Sequence, residues 1–125
     1  MSEKLLDLSL SAEYNLVVDK NKSLSVSVSC TYFSGVTEYN YDLTIYTGAT
    51  LTVKNDSGTI VQSFNTTDGS ILLQVGGVFK LVKTDVEMNT VRSGEYHYDM
   101  FLTNSQYSKR AFLRGKITYI QNIAN

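Results

Sequence analysis

From Ser23 to Tyr32 the chain alternates strictly. Leu24, Val26, Val28, Cys30 and Tyr32 are apolar, while Ser23, Ser25, Ser27, Ser29 and Thr31 carry hydroxyls. Successive side chains of a strand point to opposite faces. This period of two therefore predicts a strand with one face in a core and the other wet, as in an antiparallel sheet. The segment YNLVVDK reads as a further strand that turns at Asp19 to Asn21. In ATLTVKNDSGTIVQSF, two β-rich runs flank Asn55, Asp56, Ser57 and Gly58, residues that accept tight turns with little strain, and a hairpin is expected. TTDGSILLQVGGVFKLVK repeats the pattern, with breaks at Asp68-Gly69 and Gly76-Gly77. Residues 84–92 have room for one turn of helix in a crossover.

Closely spaced short strands, roughly seven to nine, predict an all-β fold: a single antiparallel β-sandwich, with a small barrel as the alternative. The sandwich domain is expected over residues 14–125. Upstream of it, Leu6, Leu8, Leu10 and Ala12 alternate with Asp7, Ser9 and Ser11. Residues 1–13 are thus either the first strand of the same sandwich or an arm that adds to a neighbour's open sheet edge.

The 125 residues suffice for one domain with its own core. A net charge of −1 gives no electrostatic reason for nucleic-acid or membrane binding. Cys30 is the lone cysteine, so no intrachain disulfide or multi-cysteine zinc site is expected. The first residues lack an apolar run of signal-peptide length, which places the expected site of synthesis in a cytoplasm.

SGEYHYDMFLTN holds the chain's single histidine, His97, between Glu95 and Asp99, the residue types of a metal site or proton relay. On a strand from Gly94, however, Tyr96, Tyr98, Met100 and Leu102 face one way, and Glu95, His97, Asp99 and Phe101 the other. The first set reads as core, together with Val26, Val28, Cys30 and Leu113, and the second as an exposed polar row. A catalytic or metal role needs further groups converging in a pocket. No enzymatic activity, cofactor or metal is expected, and no Gly-rich phosphate loop or nucleophile elbow occurs.

SKRAFLRGK places Arg110, Phe112, Arg114 and Lys116 on one strand face and Ala111, Leu113, Ile117 and Tyr119 on the other. If this strand pairs with the preceding one, the basic row meets the acidic row and the field cancels, against a single-stranded nucleic-acid site. The register that sets Asp99 opposite Arg114 and Phe101 opposite Phe112 joins opposite charges and two aromatics. Two exposed phenylalanines side by side, rimmed by Arg110 and Lys116, predict a subunit contact.

The tail SGEYHYDMFLTNSQYSKRAFLRGKITYI resembles a pattern of small structural β-sandwiches in tailed phages, carried by Gly94, Tyr96, Tyr98, Asp99, Leu113, Gly115 and Ile117. YDLTIYTGATLTVKND, through Thr47-Gly48-Ala49, and the Asp-Gly hairpin of TTDGSILL are similar to the same domains. These include immunoglobulin-like modules of heads and tails and the N-terminal domain of baseplate upper proteins. The resemblance implies an immunoglobulin-like sandwich that serves as a non-enzymatic virion protein, made in the host bacterial cytoplasm and oligomeric in the particle. A capsid auxiliary, decoration or head-fibre attachment role is expected, with capsid, fibre or tail subunits as partners. A tail, baseplate or neck connector and a host-glycan binding module are the alternatives. Leu6, Leu8, Leu10, Phe101, Arg110, Phe112, Arg114 and Lys116 are the expected contact residues.

Overall fold

The computed structural model describes residues 12–106 and 109–121. Among these, eleven strands and one short helix follow in order: β1 (Ala12–Glu13), β2 (Leu16–Asp19), β3 (Leu24–Ser29), β4 (Thr31–Ser34), β5 (Thr37–Asn40), β6 (Gly48–Lys54), β7 (Ile60–Asn65), β8 (Ile71–Gln74), β9 (Val78–Lys83), α1 (Asp85–Met88), β10 (Gly94–Thr103) and β11 (Arg110–Ile120). The all-β expectation holds. The strands exceed the expected seven to nine because two of the runs are interrupted.

The larger sheet has the order β1-β11-β10-β6-β7 and curls like half a barrel; β2 continues the edge begun by β1, parallel to β11. The smaller sheet is β3-β9-β8. Leu51, Leu102, Met100 and Ile117 of the first meet Val28, Phe79, Leu81 and Ile71 of the second in one apolar core. The alternation in the sequence maps onto this directly: Leu24 and Val28 are buried, Val26 is partly buried, and Ser25, Ser27 and Ser29 are exposed.

The interruptions have physical causes. β1 and β2 separate where Tyr14 and Asn15 cross over Gly115: Asn15 Oδ1 accepts the Lys116 amide at 2.9 Å, in place of a backbone carbonyl. A Cβ on Gly115 would collide with the Tyr14 carbonyl oxygen. The run through Tyr32 breaks at Cys30, whose N–H donates to the Gly77 carbonyl at 2.7 Å while its own carbonyl accepts the Tyr41 amide at 2.9 Å. Beyond it, β4 leaves the sheet and pairs with β5 as a separate hairpin.

The other turns follow the chemistry of their residues. Asn55 Oδ1 accepts the amides of Ser57 and Thr59, closing the β6–β7 hairpin. The expected helical turn is α1: Thr84 Oγ1 accepts the Glu87 amide and the Glu87 carboxylate accepts the Thr84 amide, a reciprocal capping box. At the start of β10, the Tyr96 hydroxyl donates back to the Arg92 carbonyl at 2.7 Å and pins the crossover to the sheet.

The β10–β11 register is the expected one from Gly94 to Met100, with Asp99 opposite Arg114. It then shifts, so that Phe101 stands opposite Ala111 and not Phe112. Phe112 is the extra residue of a β-bulge. The bulge breaks the alternation and turns both Phe112 and Leu113 inward. Phe112 meets Tyr41 and Phe79 edge-on, with centroids 5.9 and 6.4 Å apart. The expected exposed Phe101–Phe112 pair is therefore corrected: Phe112 is 1% exposed and belongs to the core.

Candidate functional site

The outer face of β6, β10 and β11 is where the sequence-expected residues gather. In β10, Tyr98, Met100 and Leu102 are buried, which by alternation presents Glu95, His97, Asp99 and Phe101 on the opposite side. Arg114 and Lys116 come from β11, both exposed. A third row was missed in the sequence reading. Within GATLTVK, the residues Ala49, Leu51 and Val53 point to the core and Thr50, Thr52 and Lys54 stand beside Phe101, Asp99 and His97. The signal was the same alternation that marked β3.

His97 lies on this face with Nε2 3.5 Å from Asp56 Oδ1 of the β6–β7 turn, and the two side chains are 59% and 92% exposed. Such a pair is solvated and contributes little. Lys116 Nζ lies 3.7 Å from Glu95 Oε1. Acid and base thus alternate over the face, and no single sign of potential builds up. Among the described residues, no three of His, Cys, Asp or Glu stand close enough together to hold a metal ion.

Two open depressions mark the face. One, of about 300 Å³, is framed by Glu13, His97, Asp99, Arg114 and Lys116 over Tyr98 and Gly115. The other, of about 390 Å³, lies between Thr50, Thr52, Lys54, Ile60, Asp99, Phe101, Thr103 and Lys109. Phe101 is half-buried in it, and the Lys109 ammonium sits 4.3 Å from its ring centroid. A cation over an aromatic face at an exposed site is worth about 0.5–1 kcal/mol. Lys109 thus lies over one face of the Phe101 ring.

The other expected contact residues are divided. Arg110 is half-buried at the start of β11, and Arg114 and Lys116 are surface groups. Leu6, Leu8 and Leu10 lie outside the described residues.

The buried titratable groups are poor reactants. Burial pushes the Cys30 thiol up to about 12, so it stays protonated at neutral pH and is a weak nucleophile. Burial likewise raises Tyr98 and Tyr119 above the ordinary phenol value. Tyr98 uses its proton structurally, donating to the Tyr14 carbonyl at 2.5 Å. The lowered carboxyls also serve structure: Asp68 is held down by the Ser70 hydroxyl and amide, and Glu87 by the amide and hydroxyl of Thr84. Neither a protein-family model nor a curated protein matches this chain.

Proposed function

We propose that this chain is a non-enzymatic building block of a tailed-phage virion, an immunoglobulin-like β-sandwich that acts through protein–protein contacts on the capsid surface or at a head-fibre attachment. The observation that carries the fold part is the Tyr96 hydroxyl on the Arg92 carbonyl at 2.7 Å. Immunoglobulin domains place such a tyrosine at the corner leading into strand F, two residues before a core cysteine that bridges the sheets. Here that later position is Tyr98, whose phenol is raised mainly by burial and then by the nearby Tyr14 and Cys30, the last of these just past the end of β3. The strand orders agree: β11-β10-β6-β7 matches G-F-C-C′, and β3-β9-β8 matches B-E-D. The curl of the larger sheet is the departure from that pattern.

The virion part rests on the sequence pattern from Gly94 to Ile117, and it is supported by the face described above. A mixed-charge, hydroxyl-rich sheet surface with shallow depressions suits a wet protein contact better than enclosure of a small molecule. A glycan-stacking role is weakened because Tyr46, Tyr98 and Tyr119 are core residues and cannot offer ring faces to a sugar.

Quantitative mass spectrometry of purified particles tests the proposal. Enrichment over the infected lysate with hundreds of copies per particle is the expected result. A few copies to a dozen favours the tail, baseplate or neck alternative, and absence from particles overturns the virion role.

A further inference from the structure

We infer that β3 is an acceptor edge that takes the Leu6–Ser11 segment of a second copy of this chain as an added antiparallel strand. The inference goes beyond the virion assignment and does not depend on it.

β3 ends its sheet and is paired only with β9 among the described residues. The bond from the Cys30 amide to the Gly77 carbonyl sets the phase of that ladder. Bonded and unbonded pairs alternate in an antiparallel ladder, so Leu24, Val26 and Val28 bond to β9. The N–H and C=O groups of Ser25, Ser27 and Ser29 then point to the open side. β3 has six residues, with no charge, no proline and no register shift against β9. Natural edges are blunted by those devices or by shortness. β8, at the other end of this sheet, has four residues. The edge formed by β1 and β2 carries Glu13 and Asp19 and is broken at Tyr14 and Asn15. β7, the opposite edge of that sheet, is also uncharged, but it has a register shift against β6 and its Asn65 amide is already bonded to Ser70 Oγ at 2.9 Å. β3 is therefore the edge built to receive a strand, and its inner Val26 is incompletely covered.

The occupant matches the edge in pattern. Leu6, Leu8 and Leu10 can extend the inner row of Leu24, Val26 and Val28, and Asp7, Ser9 and Ser11 the outer hydroxyl row.

The topology also separates the segment from its own β3. β2 and β3 run in opposite directions from the turn after Asp19, so β1 begins at the level of the far end of β3. Tyr98, which binds the Tyr14 carbonyl and lies near Cys30, marks that common level. An antiparallel strand on its own β3 would finish near Ser25 and need roughly 15 Å of return path before Ala12, at about 3.3 Å per residue, with no residues left to supply it. A parallel strand would have to reverse between Ser11 and Ala12, where a hairpin needs at least about two loop residues. A second copy meets neither obstacle. The contact is head-to-tail, and it propagates as a chain unless the rotation closes it into a ring.

The test uses the full chain. In sedimentation, wild-type protein should associate with increasing concentration. Leu8→Asp disables the donor. Ser27→Pro disables the acceptor, and because the amide of Ser27 faces outward it costs no bond to β9. Each variant alone should be monomeric, and an equal mixture should form one-to-one dimers and nothing larger. Hydrogen exchange on the unmodified chain gives a second reading: the amides of Ser25, Ser27 and Ser29 should be protected in concentrated samples and lose that protection on dilution. Association of either variant like the wild type, a mixture that stays monomeric, or serine protection independent of concentration would each overturn the inference.

Discussion

The Tyr119 hydroxyl in β11 donates to Gln62 Oε1 in β7 at 2.6 Å, although β10 and β6 lie between those strands in the sheet. In a flat sheet, strands three places apart are separated by about 14 Å, at roughly 4.8 Å per strand. Two side chains bridge that gap only because the sheet curls. Gln62 Nε2 donates onward to the Glu87 carbonyl at 3.0 Å, so the bond also ties α1 to the closure. Tyr119→Phe leaves a buried acceptor without its donor and is expected to cost about 1–3 kcal/mol. The urea midpoint should drop with an unchanged slope. An unchanged midpoint would show that water replaces the lost hydroxyl.

The two phenylalanines of the last hairpin should behave differently. Phe112→Ala opens a cavity among Tyr41, Phe79 and their neighbours and should cost about 3–5 kcal/mol. Phe101→Ser removes a half-buried ring and its contact with Lys109, and about 1 kcal/mol or a little more is expected. Equal losses in thermal or urea denaturation would contradict the bulge that turns Phe112 inward.

Gly77 adopts φ +75°, and a Cβ there would stand 2.6 Å from the Cys30 carbonyl oxygen and 2.8 Å from that of Tyr41. Gly58 has a similar φ of +84° with nothing within 4 Å. Alanine at Gly58 should therefore cost only the backbone strain, about 1 kcal/mol. Alanine at Gly77 adds displacement of the base of the β4–β5 hairpin, for at least about 2 kcal/mol in all. The difference between the two melting temperatures isolates the steric part.

Stability should fall in alkali. Cys30, Tyr98 and Tyr119 are acids whose neutral forms the core favours, so their folded values exceed the unfolded ones. Below the unfolded values, both states keep the proton and the full stability is present. Above the ordinary thiol value of 9.0, and then the phenol value of 10.0, the unfolded chain releases protons that the folded chain retains. Each group then removes about 1.4 kcal/mol per pH unit until its folded value is reached. Urea midpoints should be level near neutrality and decline beyond the thiol value, and Cys30→Ala should move the onset toward the phenol value. A profile level well past the phenol range would refute the burial of these groups.

The alternation of Leu24, Val26 and Val28 with serines, and of Tyr98, Met100 and Leu102 with Glu95, His97 and Asp99, was enough to place the strands and their inner faces, because a period of two is a local property of extended backbone. The turns at Asn55–Gly58 and Asp68-Gly69 and the helical turn capped by Thr84 were legible for the same reason: their bonds close within a few residues. The bulge at Phe112 was not, since it depends on Tyr41 and Phe79 offering a space for that ring. Nor was the break at Cys30, which follows from bonds to Gly77 and Tyr41, or the recruitment of Thr50, Thr52 and Lys54 beside β10. The same holds for the open side of β3. Its serines can be read in one dimension, but which of their amides face away from β9 depends on the strand that packs beside them, and that is set by contacts distant in sequence.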